Sequence, residues 1–133
     1  TAYYFNNEDN PSESFSIIEF KRPMRDDYTN EENPIDQVLN YIQNIRLGKA
    51  KRKDGTQIII QENTPCFAYI ICQITSNLKS LCQRRDFLQT YDNMGYFKYH
   101  SGLNAYIEVM SFQKIAKEAK NRNRIFMKKI GLT

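Results

Sequence analysis

A mixed β-sheet flanked by helices is the architecture this sequence predicts, and three observations predict it. The segment Phe15 to Lys21 alternates like a strand, Asn33 to Gly48 carries both a start and a stop signal around a helical apolar stripe, and Cys66 to Ile74 is almost continuously apolar. A strand buried on both faces next to a capped helix implies an α/β layout in which the sheet is the middle layer.

Tyr3-Tyr4-Phe5 opens the chain as an aromatic stretch, and Asn6 to Ser14 follows as a polar connection. Phe15-Ser-Ile17-Ile-Glu19-Phe-Lys21 then reads as a strand stopped by Pro23. With a period of two, Phe15, Ile17, Glu19 and Lys21 share one face, whereas Ser16, Ile18 and Phe20 share the other. Arg25 to Glu32 is charged or polar throughout and is expected to order only on contact with a partner. The helix after it has Asn33 as cap, Pro34 at the first position, Asp36 near the positive end and Gly48 as the left-handed stop. Ile35, Val38, Leu39, Ile42 and Ile45 form its buried stripe, and Gln37 and Tyr41 lie four apart on a neighbouring face.

Asp54-Gly55 predicts a turn and Gln57 to Gln61 a short strand or hairpin arm. Cys66 to Ile74 is the expected central strand. Ser76 is the expected cap of a helix over Asn77 to Arg85, with Leu78, Leu81 and Cys82 inward. Gly95 to Tyr99 and Ala105 to Met110 form a predicted hairpin whose turn, His-Ser-Gly-Leu-Asn, accounts for Gly102. Ser111 caps a last helix running to about Ile130, with Phe112, Ile115, Ala119, Phe126 and Ile130 inward and Gly131 as its stop. The whole is expected to be a single domain, a core over about residues 3–85 with a hairpin and basic helix over 95–131. Because it opens at Thr1 straight into aromatic residues, it is expected to be a piece of a longer polypeptide whose other domains are partners.

Composition narrows the chemistry. The 133 residues hold 19 Lys and Arg against 15 Asp and Glu, one His, three Cys and five Gly. No apolar run approaches the roughly 18 residues that span a bilayer, and no leader-like segment opens the sequence, so a soluble, cytoplasmic protein with no membrane association is expected. Cys66, Cys72 and Cys82 form no CxxC pair and read as small buried apolar residues; with His100 alone beside them an ordinary zinc site lacks ligands. His100 sits in a predicted turn, which disfavours a nucleophile–imidazole pair, and no GxGxxG or GxxxxGK[ST] is present to cradle a nucleotide phosphate. Catalysis, where there is any, falls to carboxylates and lysines.

The segment that concentrates them is Ile17-Ile18-Glu19-Phe20-Lys21, an E-x-K at the end of an apolar strand, followed by the helix with Gln37-x-x-x-Tyr41. Side chains two apart on a strand point the same way, so the carboxylate of Glu19 can hold a divalent cation while the Lys21 ammonium reaches the same water or phosphate. A buried-strand carboxylate must in any case find a partner or a metal. The alternative for Glu19 and Lys21 is an ordinary wet strand face, and for Gln37 and Tyr41 a polar helix face with Tyr41 packing partly on the core.

In these residues the chain resembles the PD-(D/E)XK nuclease superfamily, over Tyr3 to about Ile74. The resemblance implies a restriction-endonuclease-like core and hydrolysis of DNA phosphodiesters with Mg²⁺, or Mn²⁺ in its place. It implies that Glu19 is a metal ligand, Lys21 the catalytic lysine, and Gln37 and Tyr41 supporting or DNA-contacting members of the catalytic group. A fainter similarity is to C-terminal segments of large bacterial ATP-binding proteins. The superfamily's other metal-binding acid, the Asp of its P-D, has no counterpart here: the upstream acids are Glu8, Asp9 and Glu13, all in a polar loop, and the missing one is expected before Thr1. The competing expectation is a non-catalytic nucleic-acid-binding or protein-interaction module of the same fold, and a remoter one a purely structural domain.

Charge is unevenly placed. Residues 1–36 hold nine acids against Lys21, Arg22 and Arg25, whereas Arg46 to Lys53 holds five basic residues and no acid. Arg46, Lys49, Lys51, Arg52 and Lys53 are the expected contacts to a nucleic-acid backbone, because they leave the helix that bears Gln37. Lys114 to Lys129 adds seven basic residues against Glu118; Lys114, Lys117, Lys120, Arg122 and Arg124 are read either as a solvated helix face or as a phosphate-facing surface. Tyr96, Phe97 and Tyr99 are either base-stacking residues or ordinary strand cover.

Overall fold

In the computed structural model, described for residues 2–6, 14–51, 54–58, 60–61, 63–129 and 131, the described strands form one six-stranded mixed sheet. The strands are β1 (Ala2–Asn6), β2 (Phe15–Phe20), β3 (Cys66–Cys72), β4 (Leu88–Gln89), β5 (Gly95–His100) and β6 (Ala105–Ser111). The helices are α1 (Pro34–Arg46), α2 (Ser76–Arg84) and α3 (Phe112–Lys129). The spatial order is β1-β2-β3-β6-β5-β4, with β2, β3 and β6 parallel and β1, β5 and β4 antiparallel to their neighbours. The sequence-predicted α/β class with a mixed sheet is therefore observed.

The alternation read from residues 15–21 holds. Phe15, Ile17, Glu19 and Lys21 are buried, and Ser16, Ile18 and Phe20 are not. Their neighbours in register, Ala68 and Ile70 on β3 and Ile107 and Val109 on β6, continue the same buried face. Against this face α1 packs Ile35, Val38, Ile42 and Ile45, and α2 adds Leu78, Leu81 and Cys82 to the core. Burying each such aliphatic side chain is worth about 1.5–3 kcal/mol, which is why the helix sits there despite its mixed composition.

The caps of α1 follow the sequence. The Asn33 side chain accepts from the Asp36 N–H at 2.9 Å, Pro34 is at the first position and Gly48 takes φ +71°. Arg85 grips Asp36 through Nη2 and Nε at 3.0 and 3.2 Å, clamping α2 to the start of α1 and holding the Asp36 carboxyl below its usual range. At α2 the cap is Thr75 rather than Ser76: the Thr75 hydroxyl accepts from the Leu78 N–H at 3.1 Å, and Ser76 is the first helical residue. Ser111 caps α3 as expected, its hydroxyl accepting from the Lys114 N–H at 3.0 Å, and Gly131 takes φ +79°.

Four further expectations are corrected. The predicted strand at 57–61 is reduced to a single bridge between Lys51 and Gln57, with Ile59 outside the described residues. In the β5–β6 connection the left-handed residue is Asn104, at φ +45°, not Gly102; Asn tolerates that conformation, and its side chain accepts from the Tyr99 hydroxyl at 2.8 Å. His100 serves the same turn, its Nδ1 accepting from the Leu103 N–H at 3.2 Å. The glycine the hairpin does require is Gly95, where a Cβ would lie 2.2 Å from the Val109 carbonyl oxygen. On α3 the expected inward stripe fails at Ala119, which is exposed.

The fourth correction concerns residues 25–32, which pack in part onto the body of the protein. Tyr28 is buried in the core, Asn77 donates to the Tyr28 carbonyl at 2.9 Å, and Thr75 donates to Asp26 at 2.5 Å. Burial raises the Tyr28 phenol to about 12, and its hydroxyl is buried without a hydrogen-bond partner among the described residues. The ring holds the loop and the hydroxyl adds nothing, so Tyr28→Phe is expected to leave stability unchanged or raise it slightly, whereas Tyr28→Ala costs about 3 kcal/mol. Urea unfolding of the two variants checks this, and a loss in Tyr28→Phe comparable to that in Tyr28→Ala contradicts it.

Candidate functional site

At the C-terminal end of β2, three polar side chains meet under α1. Glu19 is the fifth residue of the strand and faces the core by the period of two; Lys21 follows on the same side as the strand ends, its N–H still bonded to the Ile71 carbonyl at 2.9 Å. Lys21 Nζ lies 2.7 Å from Glu19 Oε1 and 2.6 Å from Gln37 Oε1. Glu19 is 2% exposed and Lys21 9%, while Gln37 is partly exposed.

Each element supplies its part for a local reason. Parallel pairing of β2 and β3 requires a crossover, and α1 is that crossover, so it runs back over the sheet with its N-terminal turn above the C-terminal end of β2. Gln37 is in that turn. It presents an amide oxygen to an ammonium that has already met a carboxylate, so two of the three Lys21 N–H donors are engaged.

Of the sequence-predicted catalytic group, the structure brings Glu19, Lys21 and Gln37 together. Tyr41 lies one turn further along α1, half exposed, and belongs to the same helix face as Gln37. Cys72, beside Lys21, has its thiol pushed up to about 12 by burial, chiefly, with Cys82 raising it further and the Lys21 charge opposing. It is therefore a protonated, inert neighbour at neutral pH.

The basic segment expected beside this group is at the other end of α1. Gln37 and Arg46 are nine residues apart, about 14 Å along the axis, and the helix carries Arg46 away from Lys21. Arg46 is committed to the protein: Nε donates to the Leu103 carbonyl at 3.1 Å, Nη1 to Gln61 at 3.3 Å and Nη2 to Asn104 at 3.2 Å, and the guanidinium lies 5.1 Å from the Phe15 ring centroid. Lys49 and Lys51 are exposed beyond it. Arg52 and Lys53 lie outside the described residues, as do Glu8, Asp9 and Glu13.

The β1–β2 register shows which end of the hairpin adjoins the site. Ala2 is opposite Glu19, while Asn6 is opposite Phe15, about 13 Å away along the strand. As a ligand for a hard cation, Glu19 fits in kind, since it offers anionic oxygen. In number the fit is incomplete, because among the described residues no group of three His, Cys, Asp or Glu is placed to hold a metal.

A second charged cluster, not anticipated from the sequence, lies on the opposite face of the sheet. Lys114, read as part of a solvated helix face, is buried at the start of α3, 3.4 Å from Asp92 and 3.6 Å from Glu108. Glu108 alternates with the core residues Ile107 and Val109 and so projects away from Glu19. The cluster walls a hollow of about 660 Å³ with Leu88, Phe97 and Tyr106. Hydrogen bonds from the Thr90 hydroxyl and the Met94 N–H hold the Asp92 carboxyl down at about 2. Tyr96 is buried, Phe97 partly so, and Tyr99 exposed, with Phe97 stacked 6.3 Å from Tyr106.

No family model, curated protein or solved structure matches this chain. No described helix is long and apolar enough to cross a membrane.

Removing one partner of a buried ion pair strands the other, so Lys21→Met and Glu19→Gln are each expected to cost about 3–5 kcal/mol, whereas the double variant loses markedly less than their sum. Chemical denaturation of the four proteins in the cycle measures the coupling. Strict additivity would mean that the two groups do not stabilise each other.

Proposed function

We propose that this chain is a nuclease-like domain acting on DNA phosphodiesters, with Glu19, Lys21 and Gln37 at its centre and a restriction-endonuclease-like core. The observation that carries the reading is the contact of Lys21 Nζ with both Glu19 Oε1 and Gln37 Oε1, at 2.7 and 2.6 Å. An E-x-K on a wet strand face is common. One that is buried, at the carboxyl end of a parallel strand, and joined there by the glutamine of a Q-x-x-x-Y helix is not an arrangement that solubility or packing requires.

Each residue has a role in such chemistry. Glu19 supplies an anionic oxygen to a Mg²⁺ or Mn²⁺ ion, which when bound neutralises phosphate charge and acidifies a water. The Lys21 ammonium stabilises negative charge developing on the scissile phosphate or orients the attacking water. Gln37 holds that ammonium in position and leaves it one N–H to offer, and Tyr41 presents a phenol on the helix surface one turn away. DNA is the proposed partner, along with other domains of a longer, cytoplasmic bacterial polypeptide.

The second reading is a non-catalytic module of the same fold, and the closure of the pair favours it. The carboxylate and the ammonium, 2% and 9% exposed, are already paired at 2.7 Å without any ligand.

The two readings separate on one residue. Lys21→Ala is expected to abolish Mg²⁺-stimulated cleavage of plasmid DNA by the full-length polypeptide while leaving its DNA affinity within about twofold. Lys21→Gln, which keeps a hydrogen-bonding side chain over Glu19, guards against simple unfolding and is expected to lose cleavage equally. Unchanged cleavage in either folded variant overturns the nuclease reading.

A further inference from the structure

Helix α3 leaves the body of the protein after its first turn. Lys114 is buried and Phe112 and Ile115 are half-buried, whereas residues 116–120, 123–125 and 128–129 are exposed and Asn121 is intermediate. Placed on a helical wheel at 100° per residue, Lys117, Lys120, Arg124 and Lys128 fall within an arc of about 80°, spread over about 16 Å of axis. The one acid of the helix, Glu118, lies outside that arc, about 100° from Lys117. Four cations in one line with no acidic side chain of α3 among them repel one another, and the spacing of 3, 4 and 4 residues gains nothing for the isolated helix. A linear polyanion alongside would relieve that repulsion.

We infer that α3 is an arm that lies along the phosphate backbone of double-stranded nucleic acid through Lys117, Lys120, Arg124 and Lys128. The preference for a polyanion comes from the stripe itself; the choice of nucleic acid rests on the nuclease reading of Glu19, Lys21 and Gln37. A membrane surface is the other polyanion such a helix could meet, and the test below tells the two apart. Within about 60° of the point opposite the stripe's centre, the described residues are Phe112, Ile115, Glu118, Ala119 and Lys129, of which Phe112 and Ile115 are half-buried against the body, and Ile125 is the one large apolar side chain of α3 exposed among the described residues. Lys114 takes no part, since its ammonium is held between Asp92 and Glu108, and it anchors the arm to the sheet.

The test is the salt dependence of binding to a fluorescein-labelled DNA duplex of about two helical turns, read by anisotropy without divalent cations. Replacing all four residues, Lys117→Gln, Lys120→Gln, Arg124→Gln and Lys128→Gln, keeps helix-forming side chains. The slope of log K against log salt is expected to become shallower by about 3 to 4, and affinity at 0.1 M salt to fall by about a thousandfold. The control Lys79→Gln with Arg84→Gln, exposed on α2, is expected to change the slope by less than about 1. Circular dichroism of all variants verifies that α3 is still helical.

A slope unchanged in the fourfold variant overturns the inference, and so does an equal loss per charge in the α2 control, which would assign the effect to net charge. Binding of the wild-type chain to vesicles of phosphatidylcholine and phosphatidylserine but not to the duplex overturns it in favour of a membrane. Cleavage by the Lys21 variants is a separate readout. Retained cleavage in Lys21→Ala defeats the nuclease reading without altering the slope, and an unchanged slope defeats the arm without altering cleavage.

Discussion

A buried carboxylate at the end of an apolar strand is the constraint around which the rest of this structure is arranged. Taking the charge of Glu19 out of water is worth several kcal/mol of penalty, and an ion pair offsets it only if the remaining polar valences are also met. Lys21 supplies the counter-charge from the same strand face, and Gln37 meets the ammonium from above. That is why the polar group is three residues and not two, and why a helix must begin directly over it. An apolar replacement of similar volume would be at least as stable.

Much of this was legible before any coordinates. The period of two assigns Glu19 and Lys21 to one face from Phe15 and Ile17 alone, and Asn33-Pro34 fixes where α1 starts, hence which turn carries Gln37. Both are local signals, written in neighbouring residues. What escaped is non-local. Tyr28 looks like part of a polar loop until the sheet and α2 provide a cavity for its ring. Lys114 looks like a member of a basic helix face until Asp92 and Glu108, distant in sequence, are brought beside it. Thr75 and Ser76 are equally good caps on paper, and the choice depends on where β3 releases the chain. Strand β4 has two residues and exists through its pairing with β5, so no sequence period announces it.

The misplaced expectation about Arg46 follows from the same topology that placed Gln37 correctly. A crossover helix between parallel strands runs antiparallel to them, so its start lies over the strands' C-terminal ends and its finish over their N-terminal ends. Proximity in sequence to the helix bearing Gln37 thus says nothing about proximity to Lys21. Arg46 instead sits at the other end of the sheet, where its guanidinium donates to the carbonyls of Gln61, Leu103 and Asn104, two of which also accept from the Thr64 and Cys66 N–H groups. A charge that reads as a ligand contact in one dimension becomes a structural bolt in three.

The two faces of the sheet consequently divide the labour of burying charge. On one, Glu19 and Lys21 are closed in by helices, and the parallel strands direct their carboxyl ends towards the start of α1. On the other, Lys114 is shared by Asp92 and Glu108 in a more open setting, which roots α3 and lets its remaining length project. Had Lys114 been free, α3 would have had one more cation on its surface but little to hold its first turn against β6. The buried Lys114, with the half-buried Phe112 and Ile115 and the Ser111 cap, is what holds the first turn of α3 against the sheet.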